Sequence, residues 1–287
     1  MGAPQFSVII PTYGRPQFLA EAVQSVLSQT VEDFECIVVD DASPEPVMVT
    51  DDPRVRLIRR GENGGEPAAR NTGMEHARGE YLVFLDDDDL FAPDRLALAL
   101  EGLARAPVAV CWRKDPSGTV GGRRILEGDV AEIILDAMTP QMGQVAIVRS
   151  LAPRFDESFE ALTDVDWVFR VSRSLPFATV PRPGLIYRTH TGPRNRNGQS
   201  VRVRCSLMLL ERYADFFAGR PQAASFRWKR IGLMAQGLGD HSLARSAFRR
   251  SLRLRPHMST VVHLGRSVRT TRKQEALTAS EKGSSGR

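Results

Sequence analysis

Hydrophobic positions along the first third of the chain follow two alternating rhythms. Short, mostly apolar runs read as strands: Phe6 to Ile10 as a buried one, Glu35 to Val39, apart from its polar first residue, as the second, and Val55 to Ile58 as the third. After the first run, Phe18, Leu19, Ala22, Val23, Val26 and Leu27 recur at the spacing of one helical face, and Arg15-Pro16 places a proline where that helix starts. A short helix is expected near Ala68 to Ala77. A fourth strand, Tyr81 to Leu85, then runs directly into Asp86, Asp87, Asp88 and Asp89. This alternation predicts an α/β fold, a single mixed, mostly parallel sheet flanked by helices. In such sheets ligands bind outside the carboxyl ends of the strands, so the polar loops there are the places to look for chemistry.

Further along, a helix is predicted from Pro93 to Arg105, with Leu96, Leu100 and Leu103 on one side. Strands are predicted at Val108 to Trp112, Gln144 to Val148 and Leu185 to Arg188, a hairpin or loop at 116–122, and a helix at Asp164 to Ser174. Beyond about residue 200 the pattern turns helical, over 201–218, 225–238, 241–254 and 258–267, with arginines on the exposed faces. Ala235, Gly239, Asp240, Ala244, Phe248, Leu252 and Pro256 resemble one helix-turn-helix unit of tetratricopeptide type; its core is too small to stand alone, so it is expected to pack on the preceding domain. Residues 269–287 are polar and rich in Ser and Gly, and are expected to be disordered. The organisation expected is a catalytic domain over 1–200, a basic helical appendage over 201–268 and a tail over 269–287.

The 287 residues are 42% hydrophobic and 25% charged, an ordinary globular balance. Three widely spaced cysteines, Cys36, Cys111 and Cys205, provide neither a disulfide framework nor paired zinc ligands. No stretch has the form of a signal peptide or reaches the roughly 18 apolar residues of a membrane span, so a cytoplasmic location is expected. The net charge of +5 conceals an asymmetry. Residues 200–287 hold 18 Lys or Arg against 5 Asp or Glu, a net of +13, whereas residues 1–199 hold 21 against 29, a net of −8. A basic end suits peripheral contact with an anionic membrane, here the inner face of the cell membrane, or else is a solvated helix face.

Four adjacent carboxylates at a strand end repel one another, which a hard cation or neighbouring hydrogen bonds would offset. The alternative is that some of them cap the following helix or face water, which is the expectation for Asp89. A calcium loop of the EF-hand kind does not fit, since its glycine and terminal glutamate are missing.

Taken in order, Phe6-Ser7-Val8-Ile9-Ile10-Pro11-Thr12-Tyr13, Val38-Val39-Asp40-Asp41-Ala42-Ser43, Asn63-Gly64-Gly65 with Ala69-Arg70-Asn71, and Phe84-Leu85-Asp86-Asp87-Asp88-Asp89 resemble the family 2 glycosyltransferases of the GT-A fold. The resemblance covers roughly residues 5 to 190. It implies a first half that binds a nucleotide-diphosphate sugar and a second half that binds a saccharide or lipid-linked acceptor. Pro11, Thr12 and Tyr13 would lie against base and ribose, with Asn63, Gly64 and Asp87 also at the nucleotide. Asp41 would accept the hydrogen bond of a uracil ring N–H, which favours UDP. Arg70 would approach the nucleotide. Asp86 would touch ribose or metal, and Asp88 would bind the Mg²⁺ or Mn²⁺ that neutralises the departing diphosphate.

Asp164, in Leu162-Thr163-Asp164-Val165-Asp166-Trp167, matches the family's catalytic base, although Thr163 replaces the usual glutamate before it. The same aspartate could instead be a helix N-cap; Asp166 is expected to be structural. His190, in Tyr187-Arg188-Thr189-His190, resembles a family histidine near the diphosphate, and Arg194 to Gly198 has the composition of a lid or a linker. Trp112 and Trp167 are either core residues or sugar-stacking platforms.

The function expected is metal-dependent, inverting glycosyl transfer in surface polysaccharide or glycolipid synthesis. A nucleotidyltransferase is disfavoured because Pro11-Thr12-Tyr13 stands where a glycine-rich loop is needed. The remaining alternative is a silent scaffold that binds membrane or nucleic acid through its basic end, yet that end lacks the surface aromatics and motifs of a nucleic-acid binder.

Overall fold

The computed structural model describes residues 2–136, 139–188 and 198–268, and the chain divides into two compact units, Met1–Arg194 and Asn195–Arg287. In the first unit the elements run β1 (Phe6–Thr12), α1 (Pro16–Leu27), β2 (Phe34–Asp40), β3 (Val55–Arg59), α2 (Gly65–His76), β4 (Tyr81–Phe84), β5 (Leu90–Phe91) and α3 (Arg95–Leu103). They continue with β6 (Val108–Lys114), β7 (Val120–Gly121), α4 (Ala131–Asp136), β8 (Val145–Val148), α5 (Thr163–Ser172) and β9 (Phe177–Ile186). Most expected elements appear within a few residues of their predicted bounds. The stretch at 116–122 is a hairpin, since β7 pairs antiparallel with β6.

The strand order is β3-β2-β1-β4-β8-β6-β9-β5, with β7 beside β6. β3, β2, β1 and β4 are parallel. β8 then runs antiparallel between β4 and β6, while β6 and β9 are parallel to each other. The chain leaves β1 toward β2 and β3 on one side and returns to β4 on the other. β1 and β4 therefore flank a topological switch point, the place where sheets of this kind bind ligands, outside the carboxyl ends of the strands.

β1 and β2 are buried at every position, which is why their sequences are mostly apolar. Phe6, Val8, Ile10, Leu19, Val23, Val26, Val38, Val83, Leu85 and Leu96 share one core beneath α1 and α3. Each such side chain contributes roughly 1.5–3 kcal/mol by leaving water. α2 packs on β1 at Gly73, where an added Cβ would stand 2.4 Å from Ile9 Cγ2, so only glycine allows this approach. The polar interruptions Ser7 and Glu35 are register partners in β1 and β2, and the Ser7 hydroxyl donates to Glu35 at 2.7 Å. Arg78 and Arg56 complete the shell of Glu35.

β9 is longer than the strand expected at 185–188, starting at Phe177. Its register with β6 shifts at Cys111, Trp112 and Arg113, which accommodates Pro181 and Pro183 as irregularities in an otherwise paired strand.

The second unit holds α6 (Gln199–Arg212), α7 (Ala214–Ala218), α8 (Pro221–Gly237), α9 (His241–Leu254) and a last helical stretch over 258–268. Ala235, Ala244 and Phe248 form the small core between α8 and α9. No helix among the described residues is long and apolar enough to cross a membrane.

Candidate active site

The switch point gathers the ends of three parallel strands. β1 ends in Thr12, β2 is followed by Asp41, and β4 is followed by Asp86 to Asp89. The Thr12 hydroxyl donates to Asp87 Oδ2 at 2.8 Å, and the Thr12 carbonyl accepts from the Asp41 amide at 2.9 Å. Gly14 N–H donates to Ser43 Oγ at 2.8 Å, tying the loop after β1 to the loop after β2. Parallel strands in register thus bring together residues that are far apart in the sequence.

The four aspartates have four different environments. Arg15 donates to Asp87 Oδ1 at 3.1 Å and to Asp88 Oδ2 at 2.8 Å. Burial pushes the Asp87 carboxyl up to about 6; Asp88 and Asp86 add to the rise, while Arg15 and Thr12 oppose it. Asp86 is about one-third exposed and accepts from Arg70 at 2.6 Å. Asp89 corrects the expectation: it neither caps the next helix nor faces water, being only 2% exposed. It accepts from the Arg188 amide at 3.0 Å, and burial, with Asp86 and Asp88 nearby, pushes it up to about 8. Arg188 also donates to the Asp88 carbonyl at 2.7 Å, pairs with Glu21 and lies over the Phe18 ring, so the end of β9 is fastened to the acidic turn.

Beside β2, Asp41 is buried and accepts from Gly64 N–H at 3.1 Å, Gly65 N–H at 2.7 Å and the Arg60 guanidinium. Gly65 opens α2 with a φ of +82°, a conformation suited to glycine, which aims its amide at the carboxylate. Asn63 and Gly64 are exposed at this rim, Tyr13 is half-buried, and Pro11 is buried within β1.

Arg70 connects the two halves of the site. It is 1% exposed, bonded to Asp86 and Glu66, and its guanidinium lies 5.3 Å from the Phe155 ring centroid. Its Nε and Nη1 are buried without hydrogen-bond partners. Asn71 holds Phe155 by both backbone groups, accepting from its amide at 2.8 Å and donating to its carbonyl at 3.0 Å. Phe155 in turn stacks on Trp167 of α5 at 5.1 Å. This chain of contacts brings the first turn of α5 to the site, and Asp164 lies within electrostatic reach of both Arg70 and Glu66.

Asp164 is the second residue of α5 and not its cap, which is Leu162. Leu162 has a φ of +62° and Ala42, next to Asp41, a φ of +57°; they are the two non-glycine residues with positive φ among those described. Such strained positions concentrate at functional sites. Asp166 is buried and bonded to Arg170 at 2.8 Å, the structural part expected of it. Trp167 is fully buried and its Nε1 donates to the Pro153 carbonyl, so it is core and no sugar platform. Trp112 is half-buried, with its Nε1 unpaired. His190 and Arg194 to Asn197 lie outside the described residues.

Reading the sequence missed Arg15, Arg60, Glu66 and Arg188. Each is a single charged residue in a loop or first turn; the strand order shows which acidic groups Arg15, Arg60 and Arg188 face, whereas Glu66 pairs with Arg70 one turn along the same helix.

No group of three or more His, Cys, Asp or Glu side chains gathers among the described residues in the manner of an all-protein metal cage. Asp86 and Asp88 nevertheless fit the other mode of holding a divalent cation, in which one or two carboxylates act together with substrate phosphates and water. Both are hard oxygen donors, alternate in sequence, and already balance a positive charge from Arg70 or Arg15.

Residues 7–143 match the family model described as glycosyl transferase family 2. Over these residues the chain reads as a family 2 glycosyltransferase domain. It is 36% identical over 123 residues to the succinoglycan biosynthesis protein ExoW of Rhizobium meliloti, covering 40% of this chain and 39% of that protein. The matches span 16%, 17% and 39% of the length of the first curated relatives. In three dimensions the chain resembles Staphylococcus aureus TarS 1–349 in complex with UDP-GlcNAc, with a TM-score of 0.61 and 16% identity over 94% of this chain and 92% of that one. It also resembles the mannosyltransferase PcManGT from Pyrobaculum calidifontis in complex with GDP-Man and Mn²⁺, with a TM-score of 0.56 and 20% identity over 93% and 80%. The likeness fixes the fold as GT-A.

Proposed function

We propose that this protein transfers a sugar from a nucleotide-diphosphate donor, with UDP favoured, to a saccharide or lipid-linked acceptor in surface polysaccharide synthesis. The observation that carries the proposal is the meeting of three strand ends through Thr12, Asp41 and Asp87, with one buried arginine joining the acidic turn to the first turn of α5: Arg70 bonds Asp86 and feels the charge of Asp164. The family match over residues 7–143 and the name of the relative ExoW support the reaction class and the polysaccharide setting.

In this reading the donor base lies along Pro11, Thr12 and Tyr13. Asp41 accepts the base N–H; two backbone amides and Arg60 already orient its carboxylate, and a carboxylate has about four lone-pair sites in all. Asn63 and Gly64 line the rim of the base pocket. Arg70 offers its unpaired Nε and Nη1 to the diphosphate, and charge-assisted bonds of this kind are the strong ones. Asp86 reaches ribose or metal, while Asp87, fixed by Thr12 and Arg15, keeps the acidic turn in place. Asp86 and Asp88 would hold the divalent cation. When bound, that ion supplies Lewis-acid neutralisation of the charge developing on the nucleoside diphosphate.

Direct displacement at the anomeric carbon inverts its configuration and needs a base on the face opposite the leaving group. Asp164 takes that part, removing the proton of the acceptor hydroxyl as the new glycosidic bond forms. The left-handed Leu162 before it, and Phe155 against Trp167, hold the first turn of α5 rigid, which serves a reaction that depends on aim.

A panel of nucleotide sugars, assayed with Mn²⁺ for release of nucleoside diphosphate, tests the reading. Release from one donor class, accelerated by a saccharide acceptor, supports it. No release and no binding of any donor would leave the silent scaffold as the better account.

A further inference from the structure

α9 is amphipathic. Ala244, Ala247, Phe248 and Ser251 are buried, and Phe248 packs where Gly232 of α8 has no side chain, since a Cβ there would come within 2.5 Å of the ring. On the rest of the helix, Ser242, Arg245, Ser246, Arg249, Arg250 and Arg253 line one concavity. The helix contains no acidic residue. Arg250 is stacked over the Trp228 ring at 4.5 Å, which fixes the guanidinium without neutralising it.

A second observation adjoins this row. Immediately after it in the chain, Leu254 is 38% exposed, Met258 76%, and Val261 and Val262 48% each. Exposed aliphatic side chains that follow a row of arginines in the chain suit the boundary of a lipid bilayer. Apolar groups can enter the acyl region there while long basic side chains keep their charges among the headgroup phosphates. A single-stranded nucleic acid would call for aromatic faces on which bases stack, and the exposed apolar side chains here are aliphatic.

We propose that the arginine face of α9, with the exposed aliphatics from Leu254 to Val262, is a contact surface for an anionic phospholipid membrane. The surface belongs to the second unit alone and stands apart from the transfer reaction, so it survives if the assignment of the active site fails.

The test is sedimentation of the full-length protein with vesicles of phosphatidylcholine alone and of phosphatidylcholine mixed with phosphatidylglycerol. Binding is expected only to the anionic vesicles, weakening as salt rises. The triple substitution Arg245→Gln, Arg249→Gln, Arg253→Gln should lower the affinity about a hundredfold, given the strength of each basic residue at such a surface. The matching triple substitution to Lys should retain it, because a headgroup phosphate accepts either cation. Met258→Gln with Val262→Gln should weaken binding about tenfold by removing the apolar contribution. Wild-type protein that ignores anionic vesicles, a Gln triple variant that binds like wild type, a Lys triple variant that loses binding, an aliphatic double variant that binds like wild type, or a preference for single-stranded RNA over vesicles would each overturn the proposal.

Discussion

The Thr12 hydroxyl donates to Asp87 Oδ2 at 2.8 Å, joining strand ends 75 residues apart in sequence. It marks the switch point, where β1 and β4 lie side by side and the loops on either side diverge. Asp87 is buried, so the hydroxyl both orients the acidic turn and supports a carboxylate that has little water to solvate it. Thr12→Val keeps the shape and removes the bond. It should cost about 1–3 kcal/mol of stability by leaving a buried acceptor less satisfied. A lower denaturant midpoint with an unchanged slope, together with weaker donor binding, is the expected result.

Arg15 is the internal counter-ion of Asp87 and Asp88. Arg15→Gln should lower the melting temperature of the metal-free protein. Mn²⁺ should raise the melting temperature of the variant more than that of wild type, because anything that binds only the folded state stabilises it by mass action. Thermal scans of both proteins with Mn²⁺ and with chelator check this; equal shifts would count against it.

Glu35 predicts a pH effect confined to the fold. Burial works against its charge, but hydrogen bonds from the Ser7 hydroxyl and from the amide and guanidinium of Arg78 outweigh it and hold the carboxyl below the usual range. A depressed folded value means that the contribution to stability is present above the ordinary glutamate pKa of about 4.3 and is lost as pH falls through the folded value. Glu35→Gln should therefore be less stable than wild type at neutral pH, by about 1–3 kcal/mol. The gap should close in acid. Denaturation midpoints from pH 7 down to pH 3 measure it.

Much of this was legible from hydrophobic spacing. Phe6 to Ile10 and Tyr81 to Leu85 announced inner strands because burial on both faces leaves a run that is apolar almost throughout, Ser7 being the exception. The acidic turn was legible as a site because nothing in ordinary packing calls for four aspartates after such a strand. β9 was half missed, although Phe177-Ala178-Thr179-Val180 has strand-forming residues, because Pro181 and Pro183 break the pattern, and only pairing with β6 shows that a register shift absorbs them. Asp89 was misread because carboxylates are seldom fully buried; the Arg188 amide that satisfies it lies 99 residues away. Arg15 was invisible for the same reason, since its partners Asp87 and Asp88 are set by topology and not by neighbours in sequence, whereas Glu66 pairs with Arg70 at the i,i+4 spacing of one helix.

Asp164 offers the sharpest separation of binding from chemistry. Asp164→Asn preserves the volume and the helix start while removing the basic carboxylate. Turnover should fall by at least about a hundredfold, the order expected for a lost general base, with donor affinity nearly unchanged. Steady-state rates paired with calorimetric donor binding make the comparison, and near-normal turnover would exclude Asp164 as the base.

The central claim is that the acidic turn after β4 holds a divalent cation against the donor diphosphate, and it is tested most directly by calorimetric titration of UDP into wild type and Asp88→Ala, each with Mn²⁺ and with chelator. Wild-type affinity should drop at least about tenfold when Mn²⁺ is removed, a difference of about 1.4 kcal/mol, while Asp88→Ala should bind equally weakly in both conditions. Equal UDP affinity for wild type with and without the metal, or full Mn²⁺-dependent binding by Asp88→Ala, would contradict it.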